Sequence, residues 1–165
     1  MKRFTLIGVI IILMSIILVA CASPTTETAP EAQTDNRQAA STVLVYKSPT
    51  CGCCSDWVEY LEEHGYTVTV EEVTDLVAIK QQYHVPPDMG SCHTALIDGY
   101  VIEGHVPVED IERLLSERPD VLGIAVPGMP PGSPGMEIEN YPPQPFEVLT
   151  FDVGGNATVY ASYPQ

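Results

Sequence analysis

One stretch of the sequence decides the fold: residues 42–54, which read TVLVYKSPTCGCC. The first five residues are apolar or β-branched and Ser48-Pro49 follows them, which is typical of a buried strand that ends in a turn. The cysteines come directly after this turn. From Ser55 to His64 apolar side chains recur at helical spacing, and Gly65 is a stop signal. We therefore predict a strand, a cysteine-rich turn and an amphipathic helix with the cysteines at its N-terminus.

The chain after this helix continues to alternate between strand and helix patterns. Residues 66–70 predict a second strand, and Asp75 is placed to cap a second helix that has Leu76, Ile79 and Tyr83 on one face. Residues 94–97 and 100–102 flank Asp98-Gly99, which predicts a β-hairpin, and Pro107 begins a last helix. The order β-α-β-α-β-β-α predicts an α/β domain of the thioredoxin-like class over residues 42–118.

The C-terminal part has a different composition. Residues 119–145 are rich in Pro and Gly, so neither a helix nor a central strand can run far there. Apolar residues still occur among them, so we predict an ordered, irregular strap over the domain. Residues 146–153 and 157–163 predict a closing β-hairpin. Residues 119–165 are thus expected to pack on the same domain as strap and hairpin.

The first forty residues predict export and anchoring. Lys2 and Arg3 precede an apolar run over residues 4–20, as in a secretory signal. Residues 18–21, LVAC, resemble the bacterial lipoprotein cleavage box, in which the cysteine carries the lipid. We expect a signal peptide over 1–20 and a flexible tether over 21–41 with lipidated Cys21; an uncleaved membrane helix is the alternative. The domain would then face the periplasm or the cell exterior, where disulfides persist.

The charge of the chain excludes one class of partner. The formal net charge is −15, and without Lys2 and Arg3 it becomes −17. Nucleic acid is not an expected partner, because binding a duplex needs a basic patch. The chain also lacks a phosphate-binding Gly loop and a Ser-His-Asp pattern, which argues against nucleotide enzymes and hydrolases.

Four cysteines of the domain are candidates for one site. Cys51 and Cys54 form a Cys-x-x-Cys pair at a helix N-terminus, where amide donors and the helix dipole stabilise thiolates, and Cys53 adds a third sulfur. Cys92 lies in the segment 91–94, SCHT, which leads into the third strand. The thioredoxin arrangement has a cis-proline in this loop, against the dithiol. Here His93 takes that place, so we expect Cys92 to face Cys51 and Cys54.

The proline that is missing matters for function. In the thioredoxin arrangement it blocks metal access to the dithiol and helps to hold substrate polypeptide, so its replacement favours metal binding over general disulfide exchange. A non-proline cis bond is also unfavourable by about 2.5 to 4 kcal/mol, which argues against a cis peptide here. Several thiolates form a soft ligand set that suits Cu(I), with zinc as the alternative metal.

Two other interpretations of the cysteines stay open at this point. Cys51 and Cys54 are placed to act as a thiol-disulfide oxidoreductase, so enzymatic activity is left open. The cysteines are also compatible with a structural zinc or disulfide domain that acts as a binding module. Two independent disulfide staples are disfavoured, because three of the four cysteines lie within four residues.

Several separated blocks of the sequence are characteristic: the CGCC motif with Trp57 after it and the segments 91–95 (SCHTA), 99–107 (GYVIEGHVP), 125–130 (AVPGMP) and 132–136 (GSPGM). Together they resemble the CopG-type family of copper-resistance proteins. The resemblance covers roughly residues 43–160. The family is periplasmic and thioredoxin-like, and it is associated with copper handling and with interconversion of Cu(I) and Cu(II).

The resemblance implies a set of copper ligands. By it, Cys51, Cys53, Cys54 and Cys92 look like the copper ligands. The second choices, as ligands or their neighbours, are His93, His105, Met129 and Met136. Each of these has a plainer role as an alternative: shaping the loop, capping a turn or packing the strap. A tethered copper protein would exchange metal with a copper efflux pump or an oxidase assembly factor.

Overall fold

The computed structural model describes residues 42–164, and within them seven strands form one mixed sheet in the order β2-β1-β3-β4-β5-β6-β7. None of the helices among these residues is long and apolar enough to cross a membrane. The predicted signal peptide, the tether and Cys21 lie outside the described residues. The elements in chain order are β1 (Thr42–Lys47), α1 (Gly52–Glu63), β2 (Thr67–Glu72), α2 (Leu76–Gln82), a 3-10 turn (Pro87–Met89), β3 (His93–Ile97), β4 (Tyr100–Glu103), α3 (Val108–Glu117), β5 (Gly123–Ala125), β6 (Phe146–Phe151) and β7 (Ala157–Tyr163).

The predicted α/β fold class and the order of its first seven elements are confirmed. β1 pairs in parallel with β2 and antiparallel with β3, and β3 and β4 form the predicted hairpin. Asp75 caps α2 by accepting a hydrogen bond from the Ala78 amide at 3.0 Å. This connectivity is that expected of the thioredoxin-like arrangement, and it places the N-terminus of α1 beside the start of β3.

Two details of the prediction are corrected. Helix α1 begins at Gly52 rather than after Cys54, so Cys53 and Cys54 lie in its first turn. The strap contains a short strand, β5, which pairs in parallel with β4 and antiparallel with β6. A three-residue strand in a Pro/Gly-rich stretch is too short to give a periodic pattern. β5 joins the C-terminal hairpin of β6 and β7 to the sheet of the domain, so one continuous sheet results.

The core fixes the helix that carries the cysteines. Trp57 and Leu61 of α1 are completely buried, as are Val45 of β1 and Leu114 of α3. Burying a large apolar side chain contributes about 1.5 to 3 kcal/mol, so these contacts hold α1 against the sheet. Helix α2 has no fully buried residue, although its predicted face is half-buried. The site described next therefore depends on α1 more than on α2.

Candidate metal centre

The turn between β1 and α1 brings three cysteines to the end of the helix. Cys51 is the N-cap residue, and its amide donates to the Ser48 carbonyl at 3.1 Å, which closes the turn. Cys51 and Cys54 form a disulfide. The Cys53 thiol is free, and its sulfur lies 3.5 Å from that of Cys51. Three sulfur atoms thus lie side by side at the N-terminus of α1.

Cys92 joins these sulfurs from a distant part of the chain. It precedes β3, and its carbonyl oxygen lies 3.5 Å from the Cys54 sulfur. The sulfurs of Cys51, Cys53, Cys54 and Cys92 all lie within 4.8 Å of one another. No cis peptide bond occurs among residues 42–164, so the bond before His93 is trans. We call these four residues the sulfur cluster.

Two histidines extend the group on the far side of Cys92. The Cys92 sulfur lies 3.4 Å from His93 Nδ1 and 3.1 Å from His105 Nε2. Cys92, His93 and His105 therefore form a second group whose donor atoms lie within 4.8 Å of one another, and it shares Cys92 with the sulfur cluster.

The two histidines present different atoms to Cys92. His105 Nδ1 lies 2.7 Å from the Pro134 carbonyl oxygen, to which it must donate a proton. In the neutral ring this leaves a lone pair on Nε2, facing the Cys92 sulfur. A carbonyl that orients a histidine in this way is the usual support of a metal ligand. His105 is thus ready to coordinate.

His93 is placed differently. It is completely buried and its ring lies 4.3 Å from the Trp57 ring, centroid to centroid. Its Nε2 has no hydrogen-bond partner within residues 42–164. A proton on Nε2 would be a buried, unsatisfied donor, which is unfavourable by about 1 to 3 kcal/mol. The favoured tautomer has its proton on Nδ1 and donates toward the Cys92 sulfur.

Burial sets the protonation of this group. Loss of solvent raises the pKa of the Cys92 thiol to about 12, and the neighbouring Cys53 adds to the effect. Burial also lowers the pKa values of His93 and His105. Near neutral pH the group consists of a protonated thiol and neutral imidazoles. A soft metal ion that displaces thiol protons fits this donor set, because its charge compensates the thiolates that form.

The strap contributes to the walls of the site. Besides the Pro134 contact to His105, the Ser91 hydroxyl donates to the Gly128 carbonyl, beside Cys92. Met129 follows Gly128 and is 50% exposed, whereas Met136 is half-buried. The two methionines thus lie on a segment that contacts the site, and their predicted role stays a prediction.

The sequence analysis missed two charged residues near the site. Glu103 is completely buried and forms an ion pair with Lys80 of α2. A charged residue that ends an otherwise apolar strand was the available signal, because an unpaired buried carboxylate is strongly unfavourable. Only the partner residue was invisible in the sequence.

The chain is similar to one protein family and to two solved structures. Residues 89–136 match the family described as "Protein of unknown function, DUF411". No curated protein matches the chain significantly. Two solved structures are similar, "Copper resistance protein copG- Form 2" and "Copper resistance protein copG- Form 1". Both are 46% identical, and the match covers 75% of this chain and 98% of theirs, with TM-scores of 0.71 and 0.70.

Fold and site together define an α/β protein with a cysteine cluster that is able to bind a metal ion. The 46% sequence identity to the two solved structures, and the 98% of their length that the match covers, define this class more narrowly. The chain belongs to the CopG family of copper resistance proteins. This relationship and the cysteine cluster support a role in copper resistance.

Proposed function

We propose that this chain binds copper as Cu(I) through the thiolates of the sulfur cluster. The observation that carries the proposal is the convergence of four sulfurs from two segments, 38 residues apart at Cys54 and Cys92, within 4.8 Å. Thiolates are soft ligands that prefer Cu(I), and zinc is the alternative metal for the same set. The family relationship favours copper over zinc.

The disulfide makes the binding dependent on redox state. Cys51 and Cys54 cannot both act as thiolate ligands while they are bonded to each other. Reduction by an external thiol supplies two electrons and two protons, gives two free thiols and completes the cluster. Each Cu(II) takes up one electron to become Cu(I), so the interconversion that we include in this proposal needs two Cu(II) ions for each dithiol. They take up the two electrons that Cys51 and Cys54 release as their disulfide forms, and two protons are set free.

A competition titration tests the copper site. The reduced domain, residues 41–165, is titrated anaerobically with Cu(I) against a chromophoric chelator, beside Cys53→Ser and Cys92→Ser. We expect tight binding by the wild type and weaker binding by both variants. The proposal fails if the wild type loses Cu(I) to a moderate competitor, or if neither substitution changes the affinity.

The proposal includes a lipid anchor on Cys21 outside the cytoplasm. Its support is the segment LVAC at residues 18–21 after an apolar run. The wild type is expected to incorporate labelled fatty acid, and Cys21→Ala is expected to carry no label. A wild type that stays in the membrane fraction without label would favour an uncleaved membrane helix instead.

Thiol-disulfide exchange is a second candidate function, and the Cys51–Cys54 disulfide favours it. The pair lies at a helix N-terminus, where such couples are reactive. Turnover of a disulfide substrate that is lost in Cys51→Ser would support this function. Absence of turnover in the metal-free, reduced wild type would rule it out.

A further inference from the structure

A buried ion pair holds the loop that carries Cys92. Neither member of this pair is a proposed metal ligand. Glu103 ends β4 and its side chain is 0% exposed, while the Lys80 side chain reaches it from α2 and is 17% exposed. Removing one partner of such a pair leaves the other charge buried without compensation, which is strongly destabilising locally. The position of this pair is therefore tightly constrained.

The hydrogen bonds of the pair go to residues on both sides of Cys92. On the N-terminal side, the Ser91 amide donates to Glu103 Oε1 at 2.8 Å. On the C-terminal side, the Thr94 hydroxyl donates to Glu103 Oε2 at 2.9 Å. The Lys80 ammonium donates to Thr94 Oγ1 at 3.1 Å and to the His93 carbonyl at 3.4 Å. The pair thus fixes the residues before and after Cys92.

The strap also contacts the loop that carries Cys92. The Ser91 hydroxyl donates to the Gly128 carbonyl, and Gly104 leaves the space that this contact needs. Gly104 has a φ of +75°, and a Cβ there would lie 2.6 Å from Ser91 Oγ and 2.5 Å from the Val126 carbonyl oxygen. Residues 90–94, around Cys92, include no proline to restrict them, so these contacts hold the segment in place.

We infer that Glu103 and Lys80 are positioning residues of the metal centre. They hold the backbone on both sides of Cys92, and through it they keep the Cys92 sulfur within reach of the three sulfurs at the N-terminus of α1. The part of this inference that concerns copper rests on the proposed function. The positioning of Cys92 itself does not.

Alkylation tests the positioning without any metal. The purified protein, with its Cys51–Cys54 disulfide intact, is treated with iodoacetamide, and the rates at Cys92 and Cys53 are compared by peptide mass spectrometry. We expect the Cys92-to-Cys53 rate ratio to rise several-fold in Glu103→Gln and in Lys80→Met, because the partly buried Cys92 thiol becomes more accessible. An unchanged ratio in both folded variants would overturn the inference.

Asp110→Asn is the matched control. Asp110 is 4% exposed, pairs with Arg113 at 3.4 Å and accepts a hydrogen bond from Tyr163 at 2.6 Å. It is a buried carboxylate on α3, so its loss also perturbs stability, and the rate ratio is expected to stay at the wild-type value. The double variant Glu103→Gln/Lys80→Met leaves neither charge unpaired, and it is expected to raise the ratio even if a single variant does not fold.

A copper titration separates the inference from the proposed function. Glu103→Gln is expected to weaken Cu(I) binding about tenfold, as loss of a support around a metal ligand does. In a Cys92→Ser background the same substitution is expected to cause no further loss, because it acts through Cys92. An equal loss in both backgrounds would contradict the inference. If the wild type binds no Cu(I), the proposed function fails, and the alkylation ratio still decides the positioning.

Discussion

At the scale of single residues, Cys92 is the most informative group of the site. Its sulfur is shared by the sulfur cluster and the histidine group. Burial raises the pKa of its thiol to about 12, so the thiol is protonated at neutral pH when no metal is bound. Metal binding must therefore displace this proton.

Because Cu(I) must displace the thiol proton of Cys92, the copper affinity is expected to depend on pH. Each proton released makes the affinity rise about tenfold per pH unit below the thiol pKa. Between pH 6 and 8 the Cu(I) affinity of the wild type should rise with pH, and the slope should be smaller by about one proton in Cys92→Ser. Parallel slopes for the two proteins in competition titrations would show that Cys92 does not lose a proton on binding.

Substitutions of the two histidines are expected to lower the Cu(I) affinity to different extents. His105→Asn can keep the donor to the Pro134 carbonyl but lacks the Nε2 lone pair that faces Cys92, so Cu(I) affinity should fall about tenfold. His93→Phe keeps the ring that packs on Trp57 and should have the smaller effect. The reverse order in the same titration would mean that His93, not His105, is the ligand.

At the scale of elements, the strap contacts both the helix and the site. Gly135 has a φ of +74°, and a Cβ there would lie 2.7 Å from the Trp57 amide nitrogen of α1. Pro134, the residue before it, accepts the hydrogen bond from His105. The position of the strap on α1 is thus linked to the orientation of His105.

Gly135→Ala should therefore displace the strap. We expect it to lower the free energy of unfolding by about 1 to 3 kcal/mol, as overpacking does, and also to weaken Cu(I) binding. Denaturant unfolding followed by the fluorescence of Trp57, the only tryptophan, measures the first effect. Gly155→Ala is the control, because Gly155 has a φ of +80° but no atom within 4 Å of the added Cβ. Equal effects of both variants would mean that only backbone strain matters.

Elements with local sequence patterns could be predicted from the sequence, whereas contacts between distant segments could not. Strand, helix and hairpin patterns are local, so α1, α3 and the hairpin of β3 and β4 followed from periodicity and turn residues. β5 is held by pairing with β4 and β6, which are distant in sequence. The Glu103–Lys80 pair depends on the register that places Thr94 opposite Glu103, and on where α2 lies. Such relations are not visible in a single sequence.

At the scale of the whole molecule, the site unites four segments: the start of α1, the loop before β3, the segment after β4 and the strap. A ligand that binds only the assembled site stabilises the folded state by mass action. Cu(I) should therefore raise the thermal midpoint of the reduced wild type, with a smaller shift in Cys92→Ser. Equal shifts in calorimetry at the same copper concentration would place the bound copper away from Cys92.

X-ray absorption at the copper edge of the reduced, Cu(I)-loaded protein tests the central claim most directly, because it identifies the atoms bound to copper. We predict a coordination shell dominated by sulfur in the wild type and a lower sulfur content in Cys92→Ser. A shell dominated by nitrogen or oxygen, or one that Cys92→Ser leaves unchanged, would contradict copper binding by the sulfur cluster.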